Sequence, residues 1–108
     1  ISVGENTKLL VYKNRFINNR SAITAKDASK LYLTQNFYKD NKINIEMYQK
    51  KQIFAYPTVF VLNETHLPSK IVIKKHQGNL YVLDKNISLD ENLDVFKKLE
   101  GLKWLKKF

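Results

Sequence analysis

The predicted fold rests on one stretch of the sequence, Ile53-Phe54-Ala55-Tyr56-Pro57-Thr58-Val59-Phe60-Val61-Leu62. Proline has no N–H for a ladder hydrogen bond, so Pro57 suits the first residue of a strand and not its middle. The residues Thr58 to Leu62 are apolar nearly throughout and rich in β-branched and aromatic side chains, which is typical of a strand buried on both faces. Because helices usually cover such a strand, the stretch predicts an α/β core.

The length and composition predict one globular domain over residues 1–108. Hydrophobic residues make up 44% of the chain, but no apolar run approaches the roughly 18–20 residues that a membrane helix needs. The sequence begins at Ile1 and shows no signal peptide. We therefore expect a mature form or a domain excised from a longer chain.

The absence of cysteine excludes disulfides, thiolate metal sites and cysteine nucleophiles together. Three glycosylation sequons lean towards a secreted, luminal or cell-envelope location, and an asparagine-rich composition is the other interpretation. They are Asn19-Arg20-Ser21, Asn63-Glu64-Thr65 and Asn86-Ile87-Ser88.

The charge balance is strongly basic, with 19 Lys and Arg against 10 Asp and Glu, for a net charge of +9. Such a charge attracts polyanions over about a Debye length. The lysines are dispersed along the chain, which is also typical of an ordinary solvated surface. Six tyrosines among these lysines leave a nucleic-acid-binding domain as the alternative function.

Local patterns predict alternating strands and helices, with no internal repeat. Ser21 and Ser88 are the predicted N-caps of the first and last helices, and Ser88-Leu89-Asp90-Glu91 forms a capping box. Leu31 to Phe37 fits either the end of the first helix or a second strand. The other predicted elements are a strand at Lys8 to Tyr12, a turn at Asn14 to Arg20, a helix from Asn44, strands at Thr58 to Leu62 and Lys70 to Lys75, and a hairpin into Leu80 to Leu83.

This order of elements resembles the thioredoxin family. The match is best over residues 44–73, where the stretch from Asn44 to Thr58 is similar to the family's second helix and its apolar-Pro-Thr signature. The resemblance implies a thioredoxin-like mixed sheet flanked by helices and a cis Tyr56–Pro57 bond. It also implies a peptide-binding surface at Tyr56, Pro57 and Phe54, where an extended segment pairs with the backbone.

Two departures from the family pattern change the expected function. The redox cysteines should lie in Lys13 to Ser21, and none is present, so thiol–disulfide exchange is excluded. Leu80 to Lys85 is an extra strand before the last helix. We therefore expect a redox-inactive binding module that recognises a protein or peptide segment within a larger assembly, with Arg15, Phe16 and Ile17 facing the proline. Simple anchoring of the loop by Phe16 and Ile17 is the other interpretation.

No other cluster predicts catalysis or a cofactor. His66 and His76 are expected in exposed loops without metal ligands, and the acids Asp84, Asp90, Glu91 and Asp94 suit helix capping and solubility. The basic C-terminal segment, Lys97 to Phe108, fits either a helix docked on the sheet or a tail that touches a membrane surface or a partner. Because no catalytic set converges, an enzyme is the third interpretation after the two binding functions, and we expect no metal and no cofactor.

Overall fold

The computed structural model describes residues 1–64, 66–83, 85–89 and 94–107. Nearly all of its regular structure is β-strand. The strands are β1 (Ser2–Val3), β2 (Lys8–Tyr12), β3 (Arg15–Ile17), β4 (Ser21–Lys26), β5 (Lys30–Thr34), β6 (Phe37–Lys39), β7 (Ile43–Tyr48), β8 (Thr58–Leu62), β9 (Ile71–Ile73), β10 (Asn79–Val82) and β11 (Leu105–Lys106). A 3₁₀ turn follows β9 at Lys74–His76, and one helix, α1, spans Val95–Glu100.

The described residues wind into four stacked coils, which begin at β1, β4, β7 and β9, and each coil passes through up to three sheets. Sheet A has the order β1-β4-β7-β9, sheet B has the order β11-β10-β8-β5-β2, and sheet C contains β3 and β6. All pairs between successive coils are parallel, and only β11 pairs antiparallel. This β-solenoid-like arrangement contradicts the predicted thioredoxin-like fold, because the described residues form stacked parallel coils with one short helix and not a mixed sheet flanked by helices.

The coils repeat every 22 residues at the N-terminal end, so the prediction that no repeat exists is wrong. Lys8 lies beside Lys30, and Arg15 lies beside Phe37. The backbone repeats as well, because positive φ angles recur at equivalent corner positions of the first two coils. These pairs are Glu5 and Asp27, Asn6 and Ala28, Lys13 and Gln35, and Asn18 and Asp40. The next coil is longer, since Lys30 pairs with Thr58.

The two central helices predicted from the sequence are strands. Ser21–Lys26 and Ile43–Tyr48 pair with each other in sheet A, where Ile23 lies beside Ile45 and Ala25 beside Met47. All four of these side chains are buried in the solenoid interior. Apolar residues at every second position therefore face one core, and this packing outweighs the alanine-rich helical spacing.

The strand Thr58–Leu62 is confirmed, but the layers that pack on its two faces are not the predicted helices. Val59 and Val61 belong to the interior core. On the opposite face, Phe60 and Leu62 pack with the C-terminal segment, including Trp104. The strand is thus covered by the solenoid interior and by the C-terminal segment, and not by helices on both sides.

The remaining predictions concern the C-terminal third. Asn79–Val82 does form a strand, but it joins sheet B beside β8, whereas Ile71–Ile73 belongs to sheet A, so the two are not a hairpin. The capping-box residues Asp90 and Glu91 lie outside the described residues. The described helix is capped by Asp94, whose side chain accepts a hydrogen bond from the Lys97 N–H at 3.2 Å. The Tyr56–Pro57 peptide bond is trans, contrary to the prediction.

Candidate functional site

Sheet A ends at β9, and within the described residues no strand pairs with the far side of this strand. An edge strand carries unpaired backbone N–H and C=O groups along one side. Sheet B continues further at the same end, because β11 pairs with β10. Among the described residues, the last coil is therefore covered along sheet B and uncovered along sheet A.

A cavity of about 460 Å³ lies at this open end of the solenoid. Its apolar part comes from Ile71 and Ile73 of β9 and from the ring of Tyr56. The polar part comes from His76, Asn79 and Lys106, and none of the described lining residues carries a carboxylate. Among the described residues, the cavity thus combines an apolar floor beside a strand edge with a cationic side chain, that of Lys106.

Gly78 allows the corner below this cavity to close. A Cβ atom at position 78 would lie 2.9 Å from Cβ of Met47 and 3.2 Å from Cγ2 of Ile73. Neither neighbour is the free end of a flexible chain, so any larger residue displaces the strands that carry them. The absence of a side chain at position 78 therefore allows the backbone there to pack closely against Met47 of β7 and Ile73 of β9.

A second cavity, of about 450 Å³, lies between the third and fourth coils beside sheet B. Val61, Leu67 and Val82 contribute apolar surface, and Glu64 and His66 contribute polar groups. Burial raises the pKa of the Glu64 carboxyl, and hydrogen bonds from the backbone N–H groups of Gln35 and Asn36 partly oppose this shift. The Gln35 N–H donates to Glu64 Oε1 at 2.6 Å.

A buried carboxylate also lies on the outer side of sheet A. Glu46 is 3% exposed. Its Oε1 lies 3.4 Å from Lys74 Nζ, and its Oε2 lies 3.8 Å from Arg20 Nη1. The hydroxyl of Ser21 donates to Oε2 at 3.3 Å. Because the charge is surrounded by these partners, we interpret Glu46 as a structural group that joins three coils.

The predicted site residues separate into two groups. Tyr56 lines the first cavity and is 44% exposed, while Pro57 is buried and Phe54 is half-buried. The second group, Arg15 to Ile17, forms β3 in sheet C.

The structure does not bring these two groups together. Along the chain, residues 49–57 connect sheet A to sheet B, whereas β3 and β6 connect sheet B back to sheet A. The two groups therefore lie at different corners of the coil. Phe16 points into the interior, where its ring stacks on Tyr38 with centroids 5.6 Å apart.

Sequence reasoning missed Ile71, Ile73, His76, Asn79 and Lys106 as neighbours of Tyr56. The alternation of Lys70 to Lys75 already indicated a half-exposed strand there, and both histidines are exposed as expected. In the part of the chain that the structure describes, no group of three His, Asp or Glu side chains is placed to hold a metal ion.

Comparison of the chain with family models, curated proteins and solved structures found no match. No helix among the described residues is long and apolar enough to cross a membrane.

Proposed function

We propose that this chain is a binding module that recognises an extended segment of a protein partner by pairing it with the free edge of β9. The observation that carries the proposal is the edge itself, which lies beside a cavity of about 460 Å³. Adding a strand to a sheet edge is a recurrent way of binding peptides, because backbone hydrogen bonds supply affinity and side-chain pockets supply specificity.

The chain's own C-terminal segment supports this mode of binding. β11 adds antiparallel to β10 at the same end of the solenoid, with Lys106 beside Tyr81 and Leu105 beside Val82. The Lys107 N–H also donates to the Leu80 carbonyl at 2.7 Å. An extended segment beside β9 would cover sheet A in the same way that β11 covers sheet B.

The surroundings of β9 support a preference for apolar and acidic side chains. In an extended peptide, alternate side chains point to opposite faces. One set would therefore enter the cavity and contact Ile71, Ile73 and Tyr56. Since Lys106 lines the cavity and none of the described lining residues is acidic, acidic groups on the peptide are favoured.

The proposal is tested with peptides about ten residues long, displayed on phage and selected against the intact chain. We expect the selected sequences to be rich in β-branched and acidic residues and free of internal proline. Hydrogen exchange measured by NMR should show new protection at the amides of Ile71 to Ile73 when a selected peptide is added. Protection elsewhere in the chain, without any at β9, would contradict the proposal.

Two matched substitutions sharpen the test. Tyr56→Ala should weaken peptide binding by about 30-fold, as expected for an aromatic anchor worth about 2 kcal/mol. Tyr12→Ala is the control, because Tyr12 is similarly exposed but lies on β2. A synthetic peptide with N-methyl groups on alternate backbone nitrogens should also lose affinity. Equal binding by the methylated and unmethylated peptides would exclude strand addition.

A further inference from the structure

On the outer face of sheet C, each strand carries one cationic and one apolar side chain, and each cation lies beside an apolar residue of the other strand. Arg15 lies beside Phe37, and Ile17 lies beside Lys39. All four are exposed, with Phe37 at 48% and Ile17 at 39%. The Arg15 guanidinium lies 5.1 Å from the centroid of the Phe37 ring. This exposed set, Arg15, Ile17, Phe37 and Lys39, is called the sheet C face.

The interior residues of the same strands make the sheet C face rigid. Phe16 and Tyr38 alternate with the exposed residues and stack inside the core. Burial raises the pKa of the Tyr38 hydroxyl strongly, so this side chain stays neutral within the core. The exposed side chains are therefore presented from a fixed backbone, which reduces the entropy lost when a ligand binds.

Additional basic residues lie at the corners on either side of sheet C. Before β3, Lys13 places its Nζ 5.0 Å from the centroid of the exposed Tyr12 ring. After β3 and β6, Arg20 and Lys42 are exposed at equivalent positions of the first two coils.

The nearby acids are fewer than these cations. Asp40 is exposed beside Lys39, and Glu64 is half-buried under Gln35 and Asn36. Arg20 is also shared with Glu46 at 3.8 Å. The surface consequently combines excess positive charge with two accessible aromatic rings, those of Phe37 and Tyr12.

We propose that the sheet C face, together with Tyr12 and Lys13, binds single-stranded nucleic acid. Arg15, Lys39 and Lys13 would neutralise phosphates, and unpaired bases would stack on Phe37 and Tyr12. Positive grooves with interleaved aromatic side chains bind single strands in this way, since every base has a face that can stack. A duplex keeps its bases stacked on one another, so it offers phosphates to such a surface but no free base face along its length. This surface is separate from β9, so the inference is independent of peptide binding.

The test uses a fluorescein-labelled oligo-dT of about 15 nucleotides. Anisotropy is measured with the intact chain at about 50 and about 200 mM salt. We expect binding that weakens steeply with salt and that exceeds binding of a duplex of the same length. Absence of binding at micromolar protein, or tighter binding of the duplex, would overturn the proposal.

Charge substitutions distinguish this face from the general positive charge of the molecule. The double variant Arg15→Gln/Lys39→Gln should weaken binding and reduce the salt slope by about 1.4, because each lost phosphate contact on a single strand contributes about 0.7. Lys97→Gln/Lys103→Gln removes the same charge from two exposed residues in the C-terminal segment. This control should stay within about twofold of the parent chain. Equal weakening by both double variants would show non-specific attraction and overturn the proposal.

The stacking contribution is tested at Phe37. Phe37→Ala should weaken oligo-dT binding on the order of 5- to 150-fold and leave the salt slope unchanged, because it removes stacking and no charge. Phe37→Tyr keeps an aromatic ring and should restore most of the affinity. Circular dichroism melting confirms that both variants are folded. If the alanine and tyrosine variants bind alike, base stacking at this position is excluded.

Discussion

Asn41 and Asn19 occupy equivalent positions of consecutive coils, and the Asn41 side chain joins the two corners. Its Oδ1 accepts hydrogen bonds from the backbone N–H of Asn19 at 2.8 Å and from Asn19 Nδ2 at 3.0 Å. Its Nδ2 donates to the Phe16 carbonyl at 2.9 Å and to Asn44 Oδ1 at 3.1 Å. With Asn41 only 2% exposed, these bonds replace water and hold the two coils in register.

The first prediction concerns this pair of corners. Asn41→Ala should lower the free energy of unfolding by about 2–4 kcal/mol, because several buried polar groups lose their partner. Asn36 is the matched control, since it joins the same two coils at another corner, is half-buried and makes two such bonds, with Asn14 N–H and Val11 C=O. Asn36→Ala should cost about half as much. Urea denaturation followed by circular dichroism measures both, and equal losses would show that burial and bond number do not set the cost.

Part of this architecture was predictable from the sequence. The apolar runs Lys8 to Tyr12 and Thr58 to Leu62 each form the predicted strand, because β-branched and large apolar side chains suit a strand with a packed layer on each face. Tyr56, one of the predicted binding residues, lines the cavity at the end of sheet A. Its binding role stays a prediction.

The rest required information that local patterns do not contain. The coil corners use positive φ at Lys13, Gln35 and Ala28, so glycine does not mark them. The short repeat is also interrupted, because residues 49–57 lengthen the third coil and move Thr58 out of the 22-residue period. The cavity beside β9 depends on the parallel register of Ile45 with Ile71, a contact between coils that no propensity encodes.

The second prediction concerns Gly78. Gly78→Ala should destabilise the fold by about 1–3 kcal/mol, because the new Cβ would overlap Cβ of Met47 at 2.9 Å. Gly101→Ala is the control, since its added Cβ would meet only ordinary contacts at 3.6 and 3.7 Å and its φ is −84°. That change should be neutral or stabilise by up to about 1 kcal/mol. Thermal melting of the two variants provides the comparison, and equal effects would contradict the close packing of the corner.

The third prediction concerns pH and Glu64. Burial raises the pKa of this carboxyl in the folded state, so the folded chain binds the proton more tightly than the unfolded chain does. Stability from this group is therefore greatest below the unfolded pKa, and it falls as pH rises through the folded pKa. Glu64→Gln retains an acceptor for the Gln35 N–H and should flatten this dependence above about pH 4.

The matched control for the pH experiment is Glu5→Gln, which removes the same charge from an exposed residue paired with Lys51. Unfolding free energies of the parent chain and both variants are measured from about pH 4 to 7. The free energy of unfolding of the parent chain should fall relative to that of Glu64→Gln as the pH rises across this range. A difference that is constant with pH would show that Glu64 has the same proton affinity in the folded and unfolded states.

The last prediction separates two neighbouring residues of β3 that point to opposite faces. Phe16→Ala should reduce the free energy of unfolding by about 3–5 kcal/mol, because its ring is 9% exposed and stacks on Tyr38 in the core. Ile17→Ala should change stability by less than about 0.5 kcal/mol, since this side chain is exposed beside Lys39. Urea denaturation at constant pH measures both variants. A small loss of stability for Phe16→Ala would contradict the interpretation that Phe16 anchors this segment to the core. It would leave a role in binding as the remaining interpretation of this residue.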